Sequence, residues 1–183
     1  MADTPLNLHA LALDAIQQLD FSNPGWARAM EGIIARAHTA AAIAAIADRA
    51  GVKPSEGLFR GLSRIERAEI KAIVSAQLAY LKGFVAAAPN LSEAQTAARA
   101  ALYAGAVRKT FYQVRWGDWE IPPYLLPGNQ ACMANCGCSI SVGADSKDSD
   151  TGTLTRVMGK PEKHCTECPA LVGSYDVKRK RLE

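Results

Sequence analysis

The five cysteines of this 183-residue chain all lie between positions 132 and 168. They form two short groups, Cys-x3-Cys-x-Cys and His-Cys-x2-Cys, which a longer spacer joins. The residues concerned are Cys132, Cys136, Cys138, His164, Cys165 and Cys168. Such short spacings let two side chains face one ion, and zinc takes four sulfur or nitrogen ligands in a tetrahedron. The pattern therefore predicts a zinc site to which each group contributes two ligands.

The first group offers three thiols for two positions, so the ligand set has alternatives. The expected ligands are Cys132, Cys136, Cys165 and Cys168. Cys138 is the alternate in the first group. His164 is either a ligand or, as we prefer, a neighbour that polarises a thiolate. A structural zinc site contributes on the order of 10 kcal/mol to folding, which suits a segment with too few large apolar side chains to form a core alone.

Residues 1–115 have the apolar periodicity of helices almost throughout. Gly51 fits a left-handed cap at the end of the second helix. Two capping boxes mark the starts of the third and fourth helices, namely Ser63 with Glu66 and Ser92 with Gln95. Alanines between the larger apolar residues favour close packing of helices. The sequence thus predicts a mainly α fold that begins with a bundle of about four helices.

The pattern changes after Arg115. Residues 116–131 contain two tryptophans and three prolines, which exclude a single regular element and predict an ordered connector. We expect Trp116 and Trp119 to fold back onto the helices. The predicted contacts with a partner protein are Tyr124, Leu125 and Leu126. Apolar and aromatic groups between prolines are typical anchors when one protein docks on another.

Residues 132–175 are predicted to form a small zinc-stabilised β-hairpin module, with strands at about 139–142 and 154–158. The acidic residues between the strands fit a hairpin loop better than a calcium site, which needs ligands at alternate positions and a closing glutamate. Residues 176–183 are predicted to be a basic tail. The basic residues of this tail are Lys178, Arg179, Lys180 and Arg181. They are weak candidates for contacts with phosphates, as in a nucleic-acid-binding zinc module.

The composition is that of a globular protein, with 49% hydrophobic and 21% charged residues. The net charge of +3 does not by itself indicate nucleic-acid binding. The sequence contains no run of about eighteen consecutive apolar residues, so it does not predict a membrane span. The N-terminal residues MADTPLN lack the basic start and apolar core of a secretory signal. We therefore expect synthesis in a reducing cytosol, where clustered cysteines favour a metal over disulfides.

Catalytic interpretations have weaker support in the sequence. Zinc deaminases need a glutamate beside the ligands of the first group, and the Cys136-Gly137-Cys138 segment has none. His38 lies in the middle of a helix without an acid or nucleophile partner, so we interpret it as a packed or surface residue. With no paired carboxylates, nucleophile–base pair or glycine-rich phosphate loop in view, the sequence predicts a protein that is not an enzyme.

A resemblance to tailed-bacteriophage virion structural proteins, of the minor head and head-morphogenesis type, is carried by two segments. They are ARAALYAGAVRKTFYQVRWGDWEIPPYLLPGNQACMANCGCSISV and EKHCTECPALVG. The shared features are an alanine-rich helical region, an LYAGA-like helix, a PG-x3-C-x3-C-x-C group and a later HC-x2-C group. The resemblance covers roughly residues 25–175. It implies a virion component made in the host cytoplasm that assembles with capsid, portal or connector proteins and with copies of itself, away from membranes.

Overall fold

The computed structural model describes residues 5–54, 56–127, 138–146, 149–159 and 167–180. Its helices are α1 (Pro5–Gln17), α2 (Trp26–Ala50), α3 (Glu56–Gly61), α4 (Arg64–Ala87) and α5 (Glu93–Arg115). Its strands are β1 (Ser139–Ala144), β2 (Thr151–Val157) and β3 (Gly173–Lys178). The predicted mainly α fold with about four helices is confirmed, and the six-residue α3 is an additional helix.

Local hydrogen bonds define the helix ends. The hydroxyl of Ser63 accepts from the Glu66 backbone N–H at 3.1 Å, and the Glu66 carboxylate accepts from the Ser63 N–H at 2.8 Å. The same reciprocal pair joins Ser92 and Gln95 at the start of α5. Gly51 follows α2 with φ 68°, a left-handed conformation that favours glycine. Both predicted capping boxes and the predicted glycine cap are confirmed.

α2 lies at the centre of the bundle and packs against α1, α4 and α5. Its middle and C-terminal part buries five alanines, Ala41, Ala42, Ala44, Ala45 and Ala47. Small side chains let helix backbones approach closely, so these alanines allow α2 to pack tightly against its neighbours. α4 packs mainly onto α2, with the Phe84 ring 5.7 Å from the Trp26 ring. The outer side of α4 stays exposed, including Ile65 and Tyr80.

His38 is fully buried where α2 faces α5. Its Nδ1 lies 2.7 Å from the hydroxyl oxygen of Thr110, which is also buried. Burial lowers the pKa of His38 from 6.5 to about 4, because an imidazolium would lose its hydration inside the bundle. The histidine is therefore a packed, neutral residue that joins two helices, as interpreted from the sequence.

This histidine should make the fold sensitive to mild acid. Between pH 6.5 and 4 the unfolded chain protonates His38 while the folded protein does not, so stability falls as the pH falls through this window. From pH 7 to pH 5 the loss attributable to His38 should be about 2 kcal/mol. Denaturant titrations of the wild type and of His38→Gln at both pH values measure it. Equal pH dependence in the two proteins would contradict the buried neutral assignment.

The three strands form an antiparallel sheet in the order β1-β2-β3. In this register Leu154 pairs with Val142 on one side and with Tyr175 on the other. The buried face of β2 consists of Gly152, Leu154 and Arg156, whereas the residues between them are partly or fully exposed. The predicted hairpin is confirmed with somewhat different strand limits. β3 is a third strand that the sequence analysis did not predict.

The connector lies between the helices and the sheet. Trp119 is buried and Trp116 is partly buried, as expected for side chains that fold back on the protein. Leu125 and Leu126 are also buried, against the prediction that they contact a partner. The same hydrophobic cluster contains residues of the helices and, from the sheet, Ile140, Leu154 and Val177. The predicted domains 1–115 and 132–175 therefore share one core within the described residues. The boundary predicted between 175 and 176 is wrong, because it divides β3.

Two helical segments, Trp26–Ala50 and Arg64–Asn90, are long and apolar enough to cross a membrane by length and composition alone. A buried core helix can meet the same criterion. In the first segment 44% of the most apolar window is buried inside the protein, against 17% in the second. The first therefore has a clear role in the core, while the second has a largely uncovered apolar side.

Candidate metal centre

Cys138 and Cys168 lie side by side at the end of the sheet. Cys138 immediately precedes β1, and Cys168 precedes a short 3₁₀ turn, Pro169–Leu171. Both side chains are buried, and their Sγ atoms are 3.6 Å apart. A disulfide needs about 2.05 Å, whereas two thiolates at about 2.3 Å from one tetrahedral zinc are about 3.8 Å apart. The distance between the sulfur atoms thus fits two ligands of one metal ion.

The surroundings of Cys138 favour a thiolate. Burial raises the pKa of its thiol, but hydrogen bonds with Cys168 and with the Gly159 backbone, together with the charge and a hydrogen bond of Arg156, outweigh burial and lower it. The thiolate is the form that binds metal. Met158 is partly buried and packs against the cluster that Cys138 and Cys168 form.

The structure describes two of the six candidate ligands. It places Cys138, the alternate in the sequence prediction, beside the expected ligand Cys168. Four candidates lie outside the described residues, namely Cys132, Cys136, His164 and Cys165. Within the described ranges, no third histidine, cysteine, aspartate or glutamate joins the pair. The expected preference for Cys132 and Cys136 over Cys138 gains no support from this geometry, since the observed neighbour of Cys168 is Cys138.

Two buried arginines interact with Cys138, Arg108 with its carbonyl oxygen and Arg156 with its thiol, and the sequence analysis missed both. Arg108 of α5 and Arg156 of β2 are each 1% exposed. Arg108 donates from Nη2 to the Cys138 carbonyl at 2.5 Å, and Arg156 donates from Nη1 to the Leu125 carbonyl at 2.5 Å. A signal for Arg156 was present in the sequence, because it occupies the same strand face as Leu154.

The predicted partner contacts divide into two groups. Leu125 and Leu126 are 1% and 7% exposed and belong to the protein's own core, so the folded chain does not offer them to a partner. Tyr124 is 56% exposed. In the short 3₁₀ turn at Pro123–Leu125, consecutive side chains point about 120° apart, so Tyr124 faces solvent while Leu125 faces the core. Of the three residues predicted to contact a partner, Tyr124 is the one whose side chain is exposed.

The predicted basic tail begins as part of the sheet. Lys178 ends β3, and its carbonyl accepts from the Glu120 N–H at 2.8 Å. Lys180 donates its N–H to the Asp118 carbonyl at 2.8 Å, and the Arg179 guanidinium lies 5.2 Å from the centre of the Trp119 ring. Arg181 lies outside the described residues. Lys178, Arg179 and Lys180 are therefore held at the edge of the sheet and do not form a separate tail.

A groove of about 560 Å³ separates the outer part of α4 from the connector. Its apolar lining includes Ile73, Tyr80, Trp116 and Ile121, and Lys109 and Lys180 contribute charge. The groove continues the exposed side of α4 towards the connector.

No protein-family model, no curated protein and no solved structure matches this chain.

Proposed function

We propose that this protein is a structural component of a tailed-phage virion, a minor head, capsid-associated or connector protein that acts by protein–protein assembly and carries a structural zinc. The observation that carries the zinc is the buried Cys138–Cys168 pair with its 3.6 Å sulfur separation. The virion assignment is supported by the resemblance of the cysteine groups and the preceding segment to phage head proteins.

The burial of the thiols supports a structural metal rather than a catalytic one. A catalytic zinc keeps one position open for water or substrate. Cys138 is 1% exposed and Cys168 2%, so a substrate has no direct access to either sulfur atom. A structural zinc would instead hold together the start of β1 and the turn before β3.

Assembly is supported by apolar residues that the folded chain leaves uncovered. Tyr80 is 70% exposed, Ile65 80% and Tyr124 56%. Aromatic residues are enriched among the anchors that dominate interface energies. We propose that Tyr124 contacts another virion protein. We propose that the outer side of α4 contacts a neighbouring subunit, either another virion protein or a second copy of this chain.

Particle incorporation tests the proposal. Replacing Tyr124 with serine should lower the copy number of the protein in particles, since losing an aromatic anchor weakens an interface by about 2 kcal/mol. Leu102→Ser is the matched control, because Leu102 is an exposed apolar residue of α5 at 41% exposure. Purified virions are analysed by quantitative mass spectrometry after the variants are shown to fold. Normal incorporation of Tyr124→Ser would remove Tyr124 from the interface, and absence of the unmodified protein from virions would reject the virion assignment.

The alternative of a nucleic-acid-binding zinc module rests on the exposed cations at the end of β3. Lys178 and Lys180 are exposed, and Arg179 is fixed beside Trp119. Contacts to phosphates would give an affinity that falls steeply with salt.

A further inference from the structure

Arg108 of α5 carries a positive charge that no acidic group of the described residues balances. Its side chain is 1% exposed. It takes no part in the ion pairs found among those residues, which belong to Arg49 and Arg115. Arginines are almost never fully buried unless they are paired, and an unbalanced buried charge strongly destabilises a fold. We therefore expect a negative charge next to Arg108.

The guanidinium of Arg108 also has hydrogen-bond donors without an acceptor. Its Nη2 donates to the Cys138 carbonyl oxygen at 2.5 Å, a contact that brings no negative charge. Its Nε and Nη1 atoms are buried and have no hydrogen-bond partner in the part of the chain that the structure describes. Both atoms always carry protons, because the guanidinium is not deprotonated in proteins. A buried N–H group without an acceptor is destabilising, so these atoms call for a further ligand.

His9 of α1 presents another free nitrogen atom where α1 packs against α5. Its Nε2 is buried and has no hydrogen-bond partner among the described residues. The pKa of His9 lies below its usual value of 6.5, because burial and then the positive charge of Arg108 disfavour the imidazolium. The effect of the Arg108 charge on His9 shows that the two side chains are neighbours.

The two helices contain one acidic residue each, and neither residue lies at this place. In α1 it is Asp14, which is exposed and accepts from the Gln18 side chain at 2.9 Å. In α5 it is Glu93 at the first position, which is also exposed. Glu93 precedes Arg108 by about 22 Å along the helix axis, at 1.5 Å per residue. Neither helix therefore supplies the negative charge.

We propose that Arg108 and His9 bind a small monovalent inorganic anion between α1 and α5, with chloride as its simplest example. The anion accepts hydrogen bonds from the free N–H groups of Arg108 and from Nε2–H of His9, which is a donor in one tautomer of the neutral imidazole and in the imidazolium. One guanidinium beside a neutral histidine calls for a single negative charge. A side chain that is 1% exposed does not reach the phosphates of a nucleic acid, so the ligand is a free ion. The site depends neither on the zinc nor on the virion role proposed above.

The chloride dependence of stability tests the site on the unmodified protein. The melting temperature is measured while sodium chloride replaces sodium gluconate at constant ionic strength, because gluconate is too large for a buried site. Above the dissociation constant, it should rise by about 4 °C for each tenfold increase in chloride. The rise should disappear in Arg108→Met, which removes the charge. Arg99→Met is the matched control, since Arg99 is an exposed arginine of the same helix, and it should keep the rise.

Two further measurements locate the ion. An anion beside His9 favours its imidazolium, so the pKa of His9, followed by NMR, should be higher in chloride than in gluconate. His38 is the internal control, because it is buried between α2 and α5 beside the Thr110 hydroxyl, and its signals should not respond to chloride. In crystals grown with bromide, an anomalous peak should lie within hydrogen-bond distance of Nε or Nη1 of Arg108.

A melting temperature that is independent of chloride, together with an unchanged pKa of His9, would overturn the proposal. A chloride effect of wild-type size in a folded Arg108→Met would also overturn it, because the ion would then bind elsewhere. If Arg108→Met does not fold, the His9 titration and the bromide position in the unmodified protein decide. A negative result leaves the zinc and virion assignments in place, since neither depends on a bound anion.

Discussion

Replacing Cys168 with alanine is expected to abolish stoichiometric zinc binding and to lower the free energy of unfolding by about 4 kcal/mol or more, because loss of a structural metal is among the largest effects of a single substitution. The wild type should carry close to one zinc per chain. The expectation rests on the position of Cys168, whose sulfur lies 3.6 Å from that of Cys138 in a buried pair. Elemental analysis and denaturant titration measure the two effects.

Val172→Ala is the matched control, because Val172 lies just after the same turn but is 46% exposed. It should keep its zinc and lose little stability. A Cys168→Ala protein that retains one zinc per chain with the affinity of the wild type would show that the sulfur pair is not part of a metal site. Five freely reactive thiols in the native wild type would show the same.

The manner of unfolding after chelation follows from the shared core. The separate domains predicted from the sequence would imply that chelation unfolds the cysteine-rich module while the helices stay intact. In the structure, Trp119, Leu154 and Phe111 belong to one hydrophobic cluster across the connector, the sheet and α5. We therefore expect the zinc-free wild type and Cys168→Ala to unfold in one transition at lower temperature, with helical and aromatic signals changing together. Two separate transitions would indicate independent units.

Replacing Gly152 with alanine is expected to destabilise the protein by about 3 kcal/mol or more, because it overpacks the contact between connector and sheet. A Cβ at this position would lie 2.7 Å from Cη2 of Trp119 and 2.7 Å from the Gly143 carbonyl oxygen. The second atom belongs to the backbone of β1 and cannot rotate away. Thermal unfolding of the purified variant measures the loss.

Gly143→Ala provides the control within the same hairpin, since a Cβ there meets nothing within 4 Å. Its stability should stay close to that of the wild type. Adding Trp119→Leu to Gly152→Ala should reduce the penalty of the glycine substitution, because the smaller side chain relieves one of the two close contacts. Wild-type stability of Gly152→Ala would show that Trp119 does not pack on β2.

Features that depend on near neighbours in the chain were determined by the sequence. The capping boxes at Ser63 and Ser92 and the glycine cap at Gly51 need atoms only three or four residues apart, and all three are present. The helical bundle and the first two strands follow from apolar periodicity, which is equally local. The cysteine spacing predicts a metal site on the same local ground, since ligands two to four residues apart can face one ion, and this site stays a prediction.

What depends on distant residues was decided only by the tertiary structure. The pairing of Cys138 with Cys168, the burial of Leu125 and Leu126 in the core and the third strand all require segments far apart in the chain to meet. Arg108 lies at a helical position that the sequence assigns to neither solvent nor core. In the structure it is buried and donates to the Cys138 carbonyl, thirty residues away. The interaction energy of a charge depends on that three-dimensional environment rather than on its neighbours in sequence.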